Sequence, residues 1–321
     1  MKQVLPGLSA CLAAGALCVL VQRLIPEASA LLVAILAGIA LANLTTVPGI
    51  LEAGRGFAAK KVLRTGIVLL GFSIALDDIM ALGWGVVATV ILTVFIGLFG
   101  TMLIGRRLGV SRSQSVLIGA GFSICGAAAV AGVESAIKRK DSEVATAIGL
   151  VVLYGTLMIG LVPLVLGFFD LDDRVNGLIA GAAIHEVAQV VAVGGIMGGG
   201  VLAVAVIVKL ARVLMLAPVI AILSLLERGR ETTGPRPPIM PAFVVGFIAA
   251  SIIATAVTLP TGLMDGISLV QTICLAAAMF ALGLGIRFSS FKQAGFRPVL
   301  LGAFSTLLVA GTSSTGMILL G

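Results

Sequence analysis

Of the chain's 321 residues, 60% are hydrophobic and 11% charged, and the mean hydropathy is +1.22. A soluble protein of this size needs a polar skin that this composition cannot supply, so a free-standing soluble enzyme or nucleic-acid-binding domain is excluded, and an all-α polytopic membrane protein is expected. The formal charge of +7 implies no nucleic-acid partner, because cytoplasmic loops of membrane proteins collect Lys and Arg for topological reasons alone.

Apolar segments fall at about 5–22, 29–44, 62–76, 83–105, 113–137, 144–168, 174–197, 200–226, 241–259, 266–286 and 298–320, which gives about 9–11 membrane-spanning segments. "LSAC" (8–11) and "EASA" (27–30) resemble processing sites, but both lead into further apolar spans, so the first segment reads as a retained helix. The polar stretch 47–64 mixes small, apolar and basic residues and reads as an interfacial helix feeding the next span. "ERGRETTGPRPP" (227–238) is the best linker. It separates spans rather than folded domains, so 1–321 is read as one integral membrane domain. The four cysteines lie in apolar segments without metal-like spacing.

Basic residues orient the chain. With the N-terminus cytoplasmic and the C-terminus external, Arg55, Lys60, Lys61 and Arg64, then Arg106, Arg107 and Arg112, then Arg228, Arg230 and Arg236, and finally Arg287, Lys292 and Arg297 all fall inside. If every segment crosses, two loops break the rule: Lys138–Lys140 would be external and the acidic "DLDDR" (170–174) internal. Internal echoes bear on this. "GIVLLGFSIALDDIMALG" (66–83) is echoed by "AMFALGLGIRFSSFKQAG" (278–295), and "GAGFSICGAAAVAG" (119–132) by "GAAIHEVAQVVAVG" (181–194), which sets Ser123 opposite His185. Such echoes are the trace of inverted repeats, here halves of about 29–168 and 174–321 with an extra helix at 5–22. If 113–137 and 174–197 are re-entrant hairpins, both loops change sides and both echoes become antiparallel. Hairpins are therefore favoured over discontinuous crossing helices. In either case the backbone is interrupted at Ser123–Gly126 and near His185–Gln189.

Interrupted backbone at membrane depth must be buried in protein or line a wet cavity. The positive end of a half-helix that starts there favours an anion. In "SICG", Ser123, Cys125 and Gly126 offer small donors and close backbone approach, although small residues also simply permit tight helix packing. His185 is the chain's only histidine and precedes Glu186 in an apolar run. An intramembrane ionisable pair is a functional candidate by default, here for carrying a proton; capping a helix end and pairing with a cation is the plainer alternative. H-E-V-A-Q resembles a zinc-protease signature, but Gln189 stands where the second histidine belongs, and a zinc site needs three protein ligands. No metal or other cofactor is expected. Lys209 and Arg212 lie three apart, on one face of one helix. Two cations at this depth need an anion, which Glu186 or a bound substrate can supply.

"RTGIVLLGFSIALDDI", "GAGFSICGAAAVAG", "IHEVAQVVAVGG", "KLARVLMLAP" and "ALGLGIRFS" together resemble the YeiH-type family of bacterial inner-membrane proteins, to which sulfate export is ascribed. The resemblance runs nearly end to end. It implies a secondary transporter of small sulfur oxyanions such as sulfate or sulfite, with a fold distantly similar to cation/proton antiporters and bile-acid transporters. The family often has a second serine where this chain has Ala128, and an arginine in the stretch that here holds Ser73.

The expected function is secondary active anion transport in the inner membrane, without ATP-binding motif or catalysis. Ser123, Cys125, Gly126, His185, Gln189, Lys209 and Arg212 are the substrate-binding candidates. His185 and Glu186 are the candidates for coupling to a proton or another ion such as sodium. Expected partners are the anion, the coupling ion and the lipid bilayer, with a homo-oligomer left open. The alternatives are a cation/proton antiporter built on Glu186 and Lys209, and a membrane-embedded enzyme using Cys125 or Glu186.

Overall fold

The computed structural model describes residues 3–26, 28–73, 76–228, 242–286 and 295–320. Each of the eleven predicted segments contains helix among its described residues. Six helices among those residues are long and apolar enough to cross a membrane: Leu5–Leu24, Trp84–Arg107, Asp141–Leu166, Gly199–Leu226, Thr261–Gly283 and Phe296–Leu320. A helix of 20 residues is about 30 Å long, the thickness of a hydrocarbon core. Ala30–Leu44 and Ala242–Ala256 are shorter apolar helices.

The Trp84–Arg107 helix explains why the composition is so apolar. Its buried face carries Thr89, Thr93, Gly97, Thr101 and Gly105, while Leu92, Ile96, Phe99 and Leu103 are exposed. The inward side mixes these small and weakly polar groups with Val86, Val90, Val94 and Leu98, so helices can approach closely there, and the large exposed side chains are apolar, as a lipid-facing surface requires. The chain is a multi-pass membrane protein. The polar stretch at 47–64 does enter a helix, but without a break. A turn of 3-10 helix (Gly49–Leu51), a short α-helix (Glu52–Phe57) and a π-turn (Ala58–Val62) run straight into Leu63–Leu70. The linker at 227–238 lies outside the described residues except at its first two positions.

The chain forms two compact units, Met1–Leu76 with Ala242–Gln293, and Asp77–Pro241 with Ala294–Gly321. Each draws on both of the sequence halves inferred from the echoes. In the first unit α1 (Leu5–Leu24), α2 (Ala30–Leu44), α3 (Glu52–Phe57) and α4 (Leu63–Leu70) pack with two later helices, α14 (Ala242–Ala256) and α15 (Thr261–Gly283). Glycines bring the backbones together: a Cβ on Gly15 would strike the backbone of Ala277, and one on Gly38 that of Phe280. Cys11 is buried among Ala58, Ala277 and Ala281, a small hydrophobe as expected.

The second unit holds both interrupted segments. Following the short α5 (Leu76–Ala81) and α6 (Trp84–Arg107), the first consists of α7 (Arg112–Ser123) and α8 (Ala127–Val133), followed by α9 (Asp141–Leu166). The second consists of α10 (Asp173–Ala183) and α11 (Val187–Met197), followed by α12 (Gly199–Leu214) and α13 (Leu216–Arg228). Helix α7 runs parallel to α9. At its start the Ser111 and Ser113 hydroxyls donate to Glu143 at 2.5 and 2.8 Å, and two turns on Gly121 packs on Val151. Gly121 also packs on Val130 of α8. Residues nine apart in a straight helix would be about 13 Å apart, so α8 folds back along α7. In the same way Gly200 abuts Asp173, Gly177 abuts Val204 and Gly181 abuts Ala205, which makes α10 parallel to α12, while Gly194 of α11 packs on Leu202. Both segments are therefore re-entrant hairpins rather than crossing helices.

Helix α9 orients the pair. The base of the first hairpin is at its start and the base of the second follows its end, 26 residues or about 39 Å away. Helices α7 and α10, of 12 and 11 residues, reach about 17 Å each. The hairpins enter from opposite ends and their tips meet halfway. The last long helix, α16 (Phe296–Leu320), packs along α6, where the Thr101 hydroxyl donates to Ser305 at 2.8 Å.

Candidate functional site

The site is built from the two tips. In the first, Ile124 ends α7 and Gly126 begins α8, with Cys125 between them. In the second, Ile184 ends α10 and Glu186 begins α11, with His185 between them. The helix ends thus pair Cys125 with His185, two positions from the register the echo suggests, which had set Ser123 there. Gly126 has φ +77, and a Cβ on it would overlap the Glu186 side chain. Glycine is required twice over, by its backbone conformation and by the approach of the opposite tip.

Each hairpin's first helix ends with orphan carbonyls at membrane depth, where water cannot serve them. In α7 all four are accounted for. Ala120 accepts from the Ile124 amide at 3.0 Å and Gly121 from the Gly126 amide at 2.8 Å. Arg212 donates from Nη2 to Phe122 at 2.8 Å and from Nε to Ser123 at 2.9 Å. The same guanidinium reaches the other hairpin, donating from Nη1 to Ala182 and, at 2.9 Å, to Ile184. Lys209 donates to the Ile184 carbonyl as well. Both cations are fully buried, and among the described residues no carboxylate lies within ion-pair distance of either. The sequence expectation that they need an anionic partner is therefore met in part differently: the negative ends of two helix dipoles hold them. Arg212 spends four of its five N–H groups on this clamp. Lys209 spends one of three.

Glu186 does the converse. Its Oε1 accepts from the Ala127 amide, the first of α8, at 2.8 Å, so the anion expected at the start of that half-helix is the protein's own carboxylate. Gln189 Oε1 accepts from the Glu186 amide at 3.1 Å, which leaves the Gln189 Nε2 group with no partner among the described residues. Ser123 Oγ and Thr93 Oγ1 are likewise buried and unpartnered. Gly97 of α6 touches the Ser123 hydroxyl, and Thr93 lies one turn further along the same buried face. An unserved buried polar group costs about 1–3 kcal/mol and calls for a partner; here Ser123 Oγ lies against Gly97 of α6 and the Gln189 amide against Gly155 of α9.

His185 is enclosed. Its Nδ1 is 3.2 Å from the Phe122 carbonyl and its Nε2 is 3.1 Å from the Thr306 hydroxyl of α16, with the Phe122 ring centroid at 4.5 Å. Cys125 is a buried free thiol. All the sequence-derived candidates, Ser123, Cys125, Gly126, His185, Glu186, Gln189, Lys209 and Arg212, are thus brought together in one unit.

Thr93 and Thr306 were missed. Thr93 carried a signal: Thr89, Thr93, Gly97, Thr101 and Gly105 recur every fourth residue, a small, weakly polar stripe down one helix face. Thr306 carried none, being 121 residues from His185 in an ordinary apolar helix.

A family model described as "Conserved hypothetical protein 698" matches residues 6–302. A UPF0324 membrane protein of Corynebacterium glutamicum is 43% identical over 322 residues, covering 99% of this chain and 93% of its own. One from Bartonella henselae is 34% identical (98% of this chain and 92% of its own), and one from Pseudomonas aeruginosa 39% identical (88% and 84%). The chain therefore belongs to the "Conserved hypothetical protein 698" family of UPF0324 membrane proteins, the YeiH-type family that its motifs resemble.

Proposed function

We propose that the protein is a secondary transporter of a small oxyanion of the sulfate or sulfite class, resident in the bacterial inner membrane with its N-terminus cytoplasmic and C-terminus external. The observation that carries this reading is the set of unspent donors, Ser123 Oγ and Gln189 Nε2, buried beside two cations and one carboxylate where opposed hairpins meet. A doubly charged oxyanion matches that chemistry: it accepts from hydroxyl, amide and ammonium groups together. Lys209, with two N–H groups to spare, would make the direct charge contact. Arg212 would contribute field and hold the tips, Cys125 and the Gly126 backbone would line the site, and His185 and Glu186 would exchange the coupling proton. Opposed hairpins that reach the same depth from either end suit alternating access to a fixed midplane site. The orientation is supported by the hairpins, which return Lys138–Lys140 to the cytoplasmic side with the other basic loops and the acidic 170–174 loop to the outside.

A cation/proton antiporter built on Glu186 is the second reading, favoured by the buried carboxylate that forms no ion pair with Lys209. Proteoliposome uptake of labelled sulfite, sulfate and taurine, with and without a pH gradient, separates the two. Anion uptake that collapses in Lys209→Met supports the first. No uptake of any of the three, together with sodium–proton exchange abolished by Glu186→Gln, overturns it in favour of the second.

A further inference from the structure

We infer that Thr306 is the positioning residue that lets His185 gain and lose a proton at this depth, its hydroxyl turning between two hydrogen bonds as the histidine changes state. This deepens the transporter reading and rests on it for its purpose, though not for its test.

The argument is one of donors and acceptors. The Phe122 carbonyl can only accept, so His185 Nδ1, 3.2 Å away, carries a hydrogen in either state. The neutral ring then has a bare Nε2, which needs a donor. The Thr306 hydroxyl, 3.1 Å away, is one. That hydroxyl is also 3.0 Å from the Gly302 carbonyl one turn back in α16. When a proton from solvent binds Nε2, the ring becomes a double donor. Thr306 then accepts from Nε2–H and turns its own hydrogen to Gly302. One proton is taken up, and no buried nitrogen or hydroxyl is left unserved in either state. Without such a rotor, a fixed donor or acceptor at this place would leave Nε2 unsatisfied in one of the two states, in a ring fully buried in protein.

The charged and titratable groups that face the ring are Arg212, which shares the Phe122 carbonyl, and Lys209 on α12. Glu186 lies on the ring's own hairpin and Cys125 on the opposite tip. Tyr154 of α9 contacts the Phe122 ring at 5.8 Å, but its hydroxyl is turned away to the Val299 carbonyl at 2.8 Å. Of the neighbouring hydroxyls, Thr306 is the one at hydrogen-bond distance from an imidazole nitrogen among the described residues. The two cations oppose a third positive charge, and an anion that binds beside them offsets that opposition, which would tie proton uptake to anion binding.

Because His185 is the chain's only histidine, nitrogen NMR of the purified, histidine-labelled protein reads this ring alone. At alkaline pH the wild type is expected in the Nδ1–H tautomer, and acidification should convert it reversibly to the doubly protonated ring. Thr306→Ser keeps the hydroxyl and should titrate like the wild type. Thr306→Val leaves Nε2 unserved in both states, and because an unserved charged N–H costs more than an unserved lone pair, it should hold the neutral Nδ1–H ring across the range in which the wild type changes. An Nε2–H tautomer in the neutral wild type, a wild-type ring that never titrates, or a Thr306→Val ring that titrates as the wild type does would each overturn the inference, and the first two need no variant to fold. Proteoliposomes inactive toward every anion, with the NMR behaviour intact, would instead sink the transport reading and leave the rotor standing.

Discussion

Arg212→Lys tests the clamp. The guanidinium presents its N–H groups in a rigid fork, and four of them reach the carbonyls of Phe122, Ser123, Ala182 and Ile184 on two separate hairpins. A lysine at the same place has three hydrogens on a single nitrogen, which cannot face both helix ends. The Ile184 carbonyl keeps Lys209 and the Phe122 carbonyl keeps His185, but Ser123 and Ala182, one on each hairpin, have Arg212 alone, so at least one of them loses its only donor. At about 1–3 kcal/mol for an unserved buried group, the loss is at least about 1–3 kcal/mol, a sizeable part of the ~5–15 kcal/mol that holds a typical domain together. At ~2–4 °C per kcal/mol the melting temperature should fall by roughly 2–12 °C. Thermal unfolding in detergent, followed by loss of the monodisperse chromatographic peak, reads this directly. Lys209→Met is the control. Its one bond goes to the Ile184 carbonyl, which Arg212 already serves, so no carbonyl is stranded and the cost should be about 1 kcal/mol or less. If Arg212→Lys melts with the wild type, or Lys209→Met costs as much as Arg212→Lys, the division of labour between the two cations is wrong.

The unspent donors make a different prediction. Ser123→Ala removes a hydroxyl with no hydrogen-bond partner among the described residues, so melting should be unchanged, while the transported oxyanion should bind roughly 10-fold more weakly for the loss of a charge-assisted hydrogen bond; equal affinity would show that the hydroxyl faces no ligand. Gly126→Ala combines strain of about 1–3 kcal/mol at positive φ with a methyl driven into Glu186, and should lower both the melting temperature and transport. Gly160→Ala, at a position on α9 with open space around it, is its control and should leave melting unchanged or slightly raised; equal losses in the two variants would refute the tip packing.

Much of this fold was legible because the bilayer imposes simple rules. Segment lengths followed from the thickness of the hydrocarbon, and the helical state from the need to satisfy every backbone group internally. The hairpins were within reach because the basic and acidic loops at 138–140 and 170–174 objected to any other path. What the sequence could not carry was which backbone atoms would meet. Lys209 and Arg212 were visible as cations in need of a negative partner, but a helix C-terminus offers negative charge without any acidic residue to announce it. Thr306 was invisible for a related reason: nothing in an apolar helix records which of its hydroxyls a distant histidine will face.

The two tips also show why an echo in sequence misplaces the functional pairing. Aligning the glycines and alanines set Ser123 opposite His185, because small residues are needed for packing throughout α7 and α10 and match wherever they are laid. The helix ends are stricter. They set Ile124-Cys125-Gly126 against Ile184-His185-Glu186, so two related hairpins differ where they meet. One tip contributes a buried helix-start amide and no formal charge; the other contributes a carboxylate that accepts from this amide and an imidazole that bonds the first tip's carbonyl. Each hairpin therefore supplies what the other lacks. Once these mutual bonds and the Arg212 clamp are satisfied, the identified groups left over are the Ser123 hydroxyl, the Gln189 amide, the Thr93 hydroxyl and two hydrogens on Lys209. The amide and the ammonium can only donate, and the two hydroxyls can donate or accept, so every member of the remainder can serve an acceptor while two of them can serve nothing else. That asymmetry favours an oxyanion over a metal cation at the tips, and it is why the Ser123 and Lys209 variants, rather than those of the clamp, bear on what is carried.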